Sequence, residues 1–253
     1  MASNITNYKI IGDDIQAVEI LLASGEVVKA EAGAMLYMEA GITMDTKFEG
    51  GVMGTLKRAF MGESLALPHF ENKSSVDRKV AFAAPYPGKI IPINLDDFGG
   101  KLLAQRDSFL LSDMEINIEI AFTKKIGAGF FGGEGFILQK LEGSGMVFMH
   151  SGGAIMEREL NDGEELTVDT GCLVAFSDSI DYDVRFMGGF KNMIFGGEGF
   201  FQTVLKGPGK LYLQSLPFSR IAQAIIATAG GQAGSSESGG ALGQIVNSVL
   251  DRQ

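Results

Sequence analysis

Three glutamates recur in one local pattern. They are Glu63 in Phe60-Met61-Gly62-Glu63-Ser64-Leu65, Glu134 in Phe131-Gly132-Gly133-Glu134-Gly135-Phe136, and Glu198 in Phe195-Gly196-Gly197-Glu198-Gly199-Phe200. Three convergent carboxylates could hold a hard cation such as Ca²⁺ or Mg²⁺, which takes oxygen ligands. No second ligand type accompanies them, so the stronger expectation is structural. Each carboxylate accepts hydrogen bonds from backbone N–H groups of its own turn, and Gly62, Gly133 and Gly197 supply the unusual dihedrals.

The other chemistry-bearing residues are sparse. His69 and His150 are the only histidines, too few for a histidine metal centre, and are expected at the surface or a sheet edge. Cys172 is the single cysteine. It has no Cys/His arrangement to activate it, and the matching positions Ala34 and Ser108 are also small, which points to packing. Gly127-Ala128-Gly129-Phe130-Phe131-Gly132-Gly133 looks like a phosphate loop but lacks the Gly-Lys-Ser/Thr ending and a following helix. Asp169, Asp178, Asp181 and Asp183 read as a solvated acidic turn. Met35, Met38, Met44, Met53 and Met61 cluster early in the chain, where core filling is the ordinary role and an exposed methionine-rich face for partners is the alternative. No catalytic residue, metal or cofactor is expected, and the protein reads as non-enzymatic.

The elements that carry the glutamates repeat as well. Gly25–Tyr37 aligns without gaps on Gly163–Ala175, and Gly99–Leu111 fits between them. Val28, Leu102 and Leu166 share one position; Met35, Phe109 and Leu173 share another. Two blocks in the same order, each written three times, indicate three structural copies, at about 8–84, 85–152 and 153–216. Alternation in Ile116–Ile120, Val184–Phe186 and Leu211–Leu213 predicts short strands. Glu142-Gly143-Ser144-Gly145, Lys206-Gly207-Pro208-Gly209 and Glu71-Asn72-Lys73-Ser74 read as matching hairpin loops, with Asn72 replacing a glycine because Asn tolerates left-handed backbone.

Composition narrows the classes. The chain has 253 residues, 35 of them Gly and 18 Phe, with no Trp, which suits a turn-rich β core. A formal charge of -10 and a pI near 4.7 oppose binding to nucleic acid, which needs clustered Lys and Arg. They equally oppose electrostatic attraction to anionic lipid. One cysteine fits a reducing compartment. The first residues have neither a basic nor an apolar targeting region, and no apolar run approaches the ~20 residues of a spanning helix. A cytoplasmic location is expected.

Residues 217–253 differ in kind. Phe218, Ile221, Ala222, Ile225, Ile226 and Ala229 fall on one helical face, and Pro217 suits the first turn. Gly230–Gly240 reads as a flexible linker. Leu242, Ile245, Val246 and Val249 repeat the helical spacing. This apolar face is the expected contact for a protein partner or a membrane surface.

On these motifs (Met61-Gly62-Glu63-Ser64, Phe131-Gly132-Gly133-Glu134-Gly135 and Phe195-Gly196-Gly197-Glu198-Gly199) the chain resembles the bacterial and archaeal relatives of the yeast mitochondrial-biogenesis protein Aim over about residues 8–216. The resemblance implies a β-sandwich like that of the tryptophan RNA-binding attenuator protein, in pseudo-threefold array, and no established activity. The combined expectation is an all-β protein with a short helical C-terminal tail, built as three pseudo-equivalent sandwich copies. It is expected to act as a homo-oligomeric scaffold or binding protein. Peripheral membrane association through the tail and small-ligand binding are the alternatives.

Overall fold

The computed structural model describes residues 5–48, 66–124, 136–186, 201–222 and 224–225. The chain forms two units, Met1–Pro217 and Phe218–Gln253. In the second, residues 218–222 and 224–225 are helical, as the apolar spacing after Pro217 predicts. The rest of that unit, including Ile226, Leu242, Ile245, Val246 and Val249, lies outside the described residues.

The first unit is β-structure. Its strands begin with β1 (Tyr8–Ile11), β2 (Ala17–Leu22), β3 (Val27–Ala30), β4 (Met35–Met38), β5 (Ile42–Phe48), β6 (Ala66–Asn72) and β7 (Arg78–Phe82). Then come β8 (Lys89–Asn94), β9 (Lys101–Gln105), β10 (Phe109–Asp113), β11 (Asn117–Lys124), β12 (Phe136–Glu142) and β13 (Met146–Ser151). The last are β14 (Ile155–Leu160), β15 (Glu165–Asp169), β16 (Leu173–Ser177), β17 (Asp181–Phe186), β18 (Phe201–Lys206) and β19 (Gly209–Gln214). The strands predicted around Ile116–Ile120, Val184–Phe186 and Leu211–Leu213 are therefore present as β11, β17 and β19.

Among the described residues four antiparallel sheets result. Sheet I runs β1-β2-β7-β4, sheet II β5-β6-β3-β10-β13-β8, sheet III β11-β12-β9-β16-β19-β14, and sheet IV β15-β18-β17. The order of sheet III is that of sheet II moved on by six strands. Sheets I and IV correspond to the two halves of such a sheet.

The sheets stack as sandwiches because the middle ones are apolar on both faces. In β13, Phe148 points into a core shared with Val18, Ile20 and Phe82 of sheet I. Its neighbours Val147 and Met149 point the other way, toward Leu102, Ala104 and Leu141 of sheet III. In β19, Tyr212 joins that second core, while Leu211 and Leu213 meet Val168, Val184 and Leu205 of sheet IV. Alternate residues on a strand face opposite sides, so a strand buried on both sides needs an unbroken apolar run. Leu211-Tyr212-Leu213 and Val147-Phe148-Met149 supply one.

The three matching turns are not hairpins. β6 belongs to sheet II and β7 to sheet I, β12 to III and β13 to II, β18 to IV and β19 to III. Each turn carries the chain from one sheet to its neighbour, and each makes the same backbone bond. Asn72 N donates to Glu26 O at 3.0 Å, Gly143 N to Gly100 O at 3.0 Å, and Gly207 N to Glu164 O at 2.9 Å. At Gly143, φ is +150° and an added Cβ would lie 2.4 Å from Glu115 O, so a side chain is excluded there. Asn72 earns its position through its amide. Nδ2 donates to Leu22 O at 2.8 Å and to Val76 O at 2.9 Å, while Oδ1 accepts from Ser74 N at 3.0 Å. Asn72 is fully buried, so Asn72→Ala leaves the Leu22 carbonyl without this donor. The expected loss is about 1–3 kcal/mol, read as a lower urea midpoint at unchanged m-value.

Candidate interaction surface

The Gly-Glu steps (Gly62-Glu63, Gly133-Glu134 and Gly197-Glu198) all lie outside the described residues. Among the described residues no group of three or more His, Cys, Asp or Glu side chains is placed to hold a metal. Asp178, Asp181 and Asp183 are exposed. Asp169 accepts the Gly171 N–H at 3.0 Å, capping a short 3-10 turn at Thr170–Cys172. Cys172 is half-buried.

The histidines correct the sequence reading, since both are buried. His69 on β6 lies opposite Lys29 of β3, which is also buried. His150 on β13 meets the ring of Tyr86 edge-on at 4.5 Å, and burial pulls its imidazole down to about 4. Asp113, at the end of β10, is buried and accepts Ile5 N at 2.7 Å and Met146 N at 2.6 Å. Burial outweighs those two hydrogen bonds and pushes its carboxyl up to about 6. These interior polar groups were not legible as buried, because the partners of Asp113 and His150 (Ile5, Met146 and Tyr86) lie far from them in the sequence.

The surface that stands out is β4. Met35, Leu36, Tyr37 and Met38 are consecutive and 39%, 60%, 40% and 41% exposed. Met44 on β5 is exposed too, so core filling does not describe these three methionines; Met53 and Met61 lie outside the described residues. The strands at the matching places in sheets II and III are β10 and β16. There Phe109, Leu110 and Leu111 are at most 2% exposed, and Leu173 to Phe176 are fully buried. All three strands carry a register shift at the same point, between Met35 and Tyr37, Phe109 and Leu111, and Leu173 and Ala175.

The difference lies in the neighbours. β10 pairs on one side with β13 and on the other with β3, and β16 pairs with β19 and β9. Among the described residues β4 pairs with β7 and ends its sheet. β15, at the place of β3 and β9, likewise pairs with β18 and ends its sheet among those residues. Its Glu165 and Thr167 are exposed, whereas Lys29 and Leu103 at the place of Thr167 are buried.

Polar contacts hold β4 in place. The Tyr37 hydroxyl donates to the Glu19 carboxylate, and Lys79 Nζ lies 2.8 Å from Glu19 Oε1. Lys79 and Tyr37 keep the Glu19 carboxyl below its ordinary range, and Glu19 in turn raises the Tyr37 phenol. On the tail, Phe218 and Ile225 are exposed and Ile221 is half-buried.

Leu36, Tyr37 and β15 entered the sequence reading as parts of the repeated block and not as a candidate surface. Aligning the copies position by position offers a signal. Leu36, Leu110 and Val174 are all apolar at one position, but among the described residues no strand lies beside β4 as β3 and β9 lie beside β10 and β16.

Comparison with known proteins matches the chain to one family. The profile of the family described as mitochondrial biogenesis AIM24 covers residues 8–216. An uncharacterised protein of Streptococcus pyogenes serotype M6 is 33% identical over 214 residues, spanning 81% of this chain and 83% of its own length. A Streptococcus pyogenes protein solved by X-ray crystallography superposes with a TM-score of 0.71 at 27% identity. That match covers 88% of this chain and 99% of the solved one. The chain belongs to the AIM24 family.

Proposed function

We propose that this protein is a non-enzymatic β-scaffold that works as a homo-oligomer, built from three pseudo-equivalent copies at about 8–84, 85–152 and 153–216. The shared strand order of sheets II and III, the common bulge in β4, β10 and β16, and the repeated backbone bond at Asn72, Gly143 and Gly207 support three copies. The observation that carries the assembly reading is the exposed run Met35–Met38. Four consecutive exposed apolar residues on an edge strand are a template for aggregation unless something covers them.

Light scattering at several concentrations tests this. The expected result is one discrete species heavier than the 27.0 kDa chain, with its mass unchanged on dilution. A monomer at all concentrations sinks the reading. Exposed Phe218 and Ile225 favour a second reading, in which the tail makes the contact. The same measurement on a chain ending at Pro217 separates the two, because assembly through the β unit survives the truncation and assembly through the tail does not.

A further inference from the structure

We propose that a second copy of the chain docks head to tail, its β4 adding to β15 of the first as the next antiparallel strand. In this joint Val168 lies opposite Tyr37 of the second copy, and Thr167 opposite its Met38. The inference rests on the assembly reading and adds which edges meet and in what register.

The register comes from two joints the chain already contains. Between β3 and β10, Ala30 lies opposite Leu111 and Lys29 opposite Ser112. Between β9 and β16, Ala104 lies opposite Ala175 and Leu103 opposite Phe176. The two pairings are the same when the strands are aligned as above. Val168 stands at the place of Ala30 and Ala104, and Tyr37 at the place of Leu111 and Ala175. One joint of this kind is missing a partner on each side. Among the described residues no strand lies beside Glu165–Val168 on the β3-type edge of β15, and none beside β4 on its β10-type edge.

Side-chain exposure points the same way. Every residue of β4 is exposed where its counterparts in β10 and β16 are buried. A third position, far along the chain, agrees. Met156 on β14 lies opposite Leu213, which faces the core between sheets III and IV. Met156 is nevertheless 50% exposed, while Val18 and Ile91, opposite the corresponding residues of β7 and β13, are buried. Sheet IV has three strands, so it covers sheet III incompletely. Joining β4, β7, β2 and β1 of a second copy to β15 would extend sheet IV in the order β17-β18-β15-β4-β7-β2-β1, the arrangement of sheets II and III with β1 added.

The two edges differ, so the contact is heterologous and has a direction. A β4-to-β4 dimer would leave β15 uncovered. Head-to-tail joints either close into a ring or continue as a fibre, and a discrete mass reports closure.

Site-directed cross-linking tests the joint. In a Cys172→Ser background, Thr167→Cys and Met38→Cys are carried on separate chains and co-expressed. Directly opposed Cα atoms in an antiparallel pair are about 4.5–5.5 Å apart, within the roughly 4.4–6.8 Å a disulfide spans. The expected result is a disulfide-linked dimer in the mixture and none in either variant alone. Pairing Thr167→Cys with Leu36→Cys, two positions out of register, should lose most of the cross-link. Assembled particles without a cross-link in the mixture overturn the proposed edges and register while leaving the assembly reading intact. Cross-linking by Met38→Cys alone overturns the direction. A monomer by light scattering removes the assembly reading itself.

Discussion

Phe148→Ala is expected to lower the unfolding free energy by about 3–5 kcal/mol, the range for truncating a fully buried phenylalanine. Phe148 has no exposed surface and sits in the core between sheets I and II with Val18, Ile20 and Phe82. The ring of Tyr8 meets it edge-on at 4.9 Å. The void left by alanine cannot close cheaply. β13 is hydrogen-bonded to β10 on one side and to β8 on the other, and Val147 and Met149 anchor its opposite face in the next core. A strand held on two edges and one face has little room to move inward, so the variant keeps most of its cavity penalty. Urea titration checks this. The midpoint should fall with the m-value preserved, and a loss under about 1 kcal/mol would mean that the ring is not packed as described.

The second large effect is a change in pH dependence. Two buried groups have pKa values displaced in opposite directions. Burial lifts Asp113 to about 6, assisted by the nearby charges of Glu26 and Glu115, from an unfolded value near ~4. Its favourable contribution is complete below pH ~4 and is lost as pH rises through its folded pKa. Burial lowers His150 to about 4 from an unfolded value near ~6.5. Its contribution is complete above pH ~6.5 and is lost as pH falls through its folded pKa. Between pH ~4 and ~6 the two oppose each other, each by on the order of 3 kcal/mol. Asp113→Asn removes one of them. Relative to the unaltered protein, the variant should lose on the order of 3 kcal/mol more stability on acidification across that window. Its offset at neutral pH carries less information, because the amide also gives up one of the acceptors used by Ile5 N and Met146 N. Urea midpoints of both proteins from pH 7 to pH 4 check the slope. Parallel curves would show that Asp113 titrates as an exposed carboxylate does.

Much of the strand content was legible in the residues. Alternation marked β11 and β17, and the short run Leu211–Leu213 marked β19. The turns were legible as turns but misread as hairpins, because a glycine-rich turn looks the same whether the next strand pairs with the last or crosses to another sheet. The candidate surface was half legible. Met35, Met38 and Met44 were conspicuous by type, and their chemistry alone argued for the core. Their exposure goes with the absence, among the described residues, of a strand beside β4, and no property of Met35–Met38 encodes that absence. His69 and His150 were misjudged for a related reason. Sparse histidines are ordinarily exposed, and His150 is taken out of water by Tyr86 and Gly88, which lie far from it in the chain.

The sequence by itself determined that the protein is built from short strands and that an apolar helical stretch follows Pro217. These are local properties. Side-chain period and glycine placement can be read within a few residues of each position. Only the tertiary structure decided which strands share a sheet, which faces are doubly buried, and where the series of sheets ends. Those outcomes depend on contacts between residues far apart in the chain, such as Ala30 with Leu111 or Ala104 with Ala175. The same strand type is core when a neighbour arrives and surface when none does, and β4 and β15 stand where none arrives among the described residues.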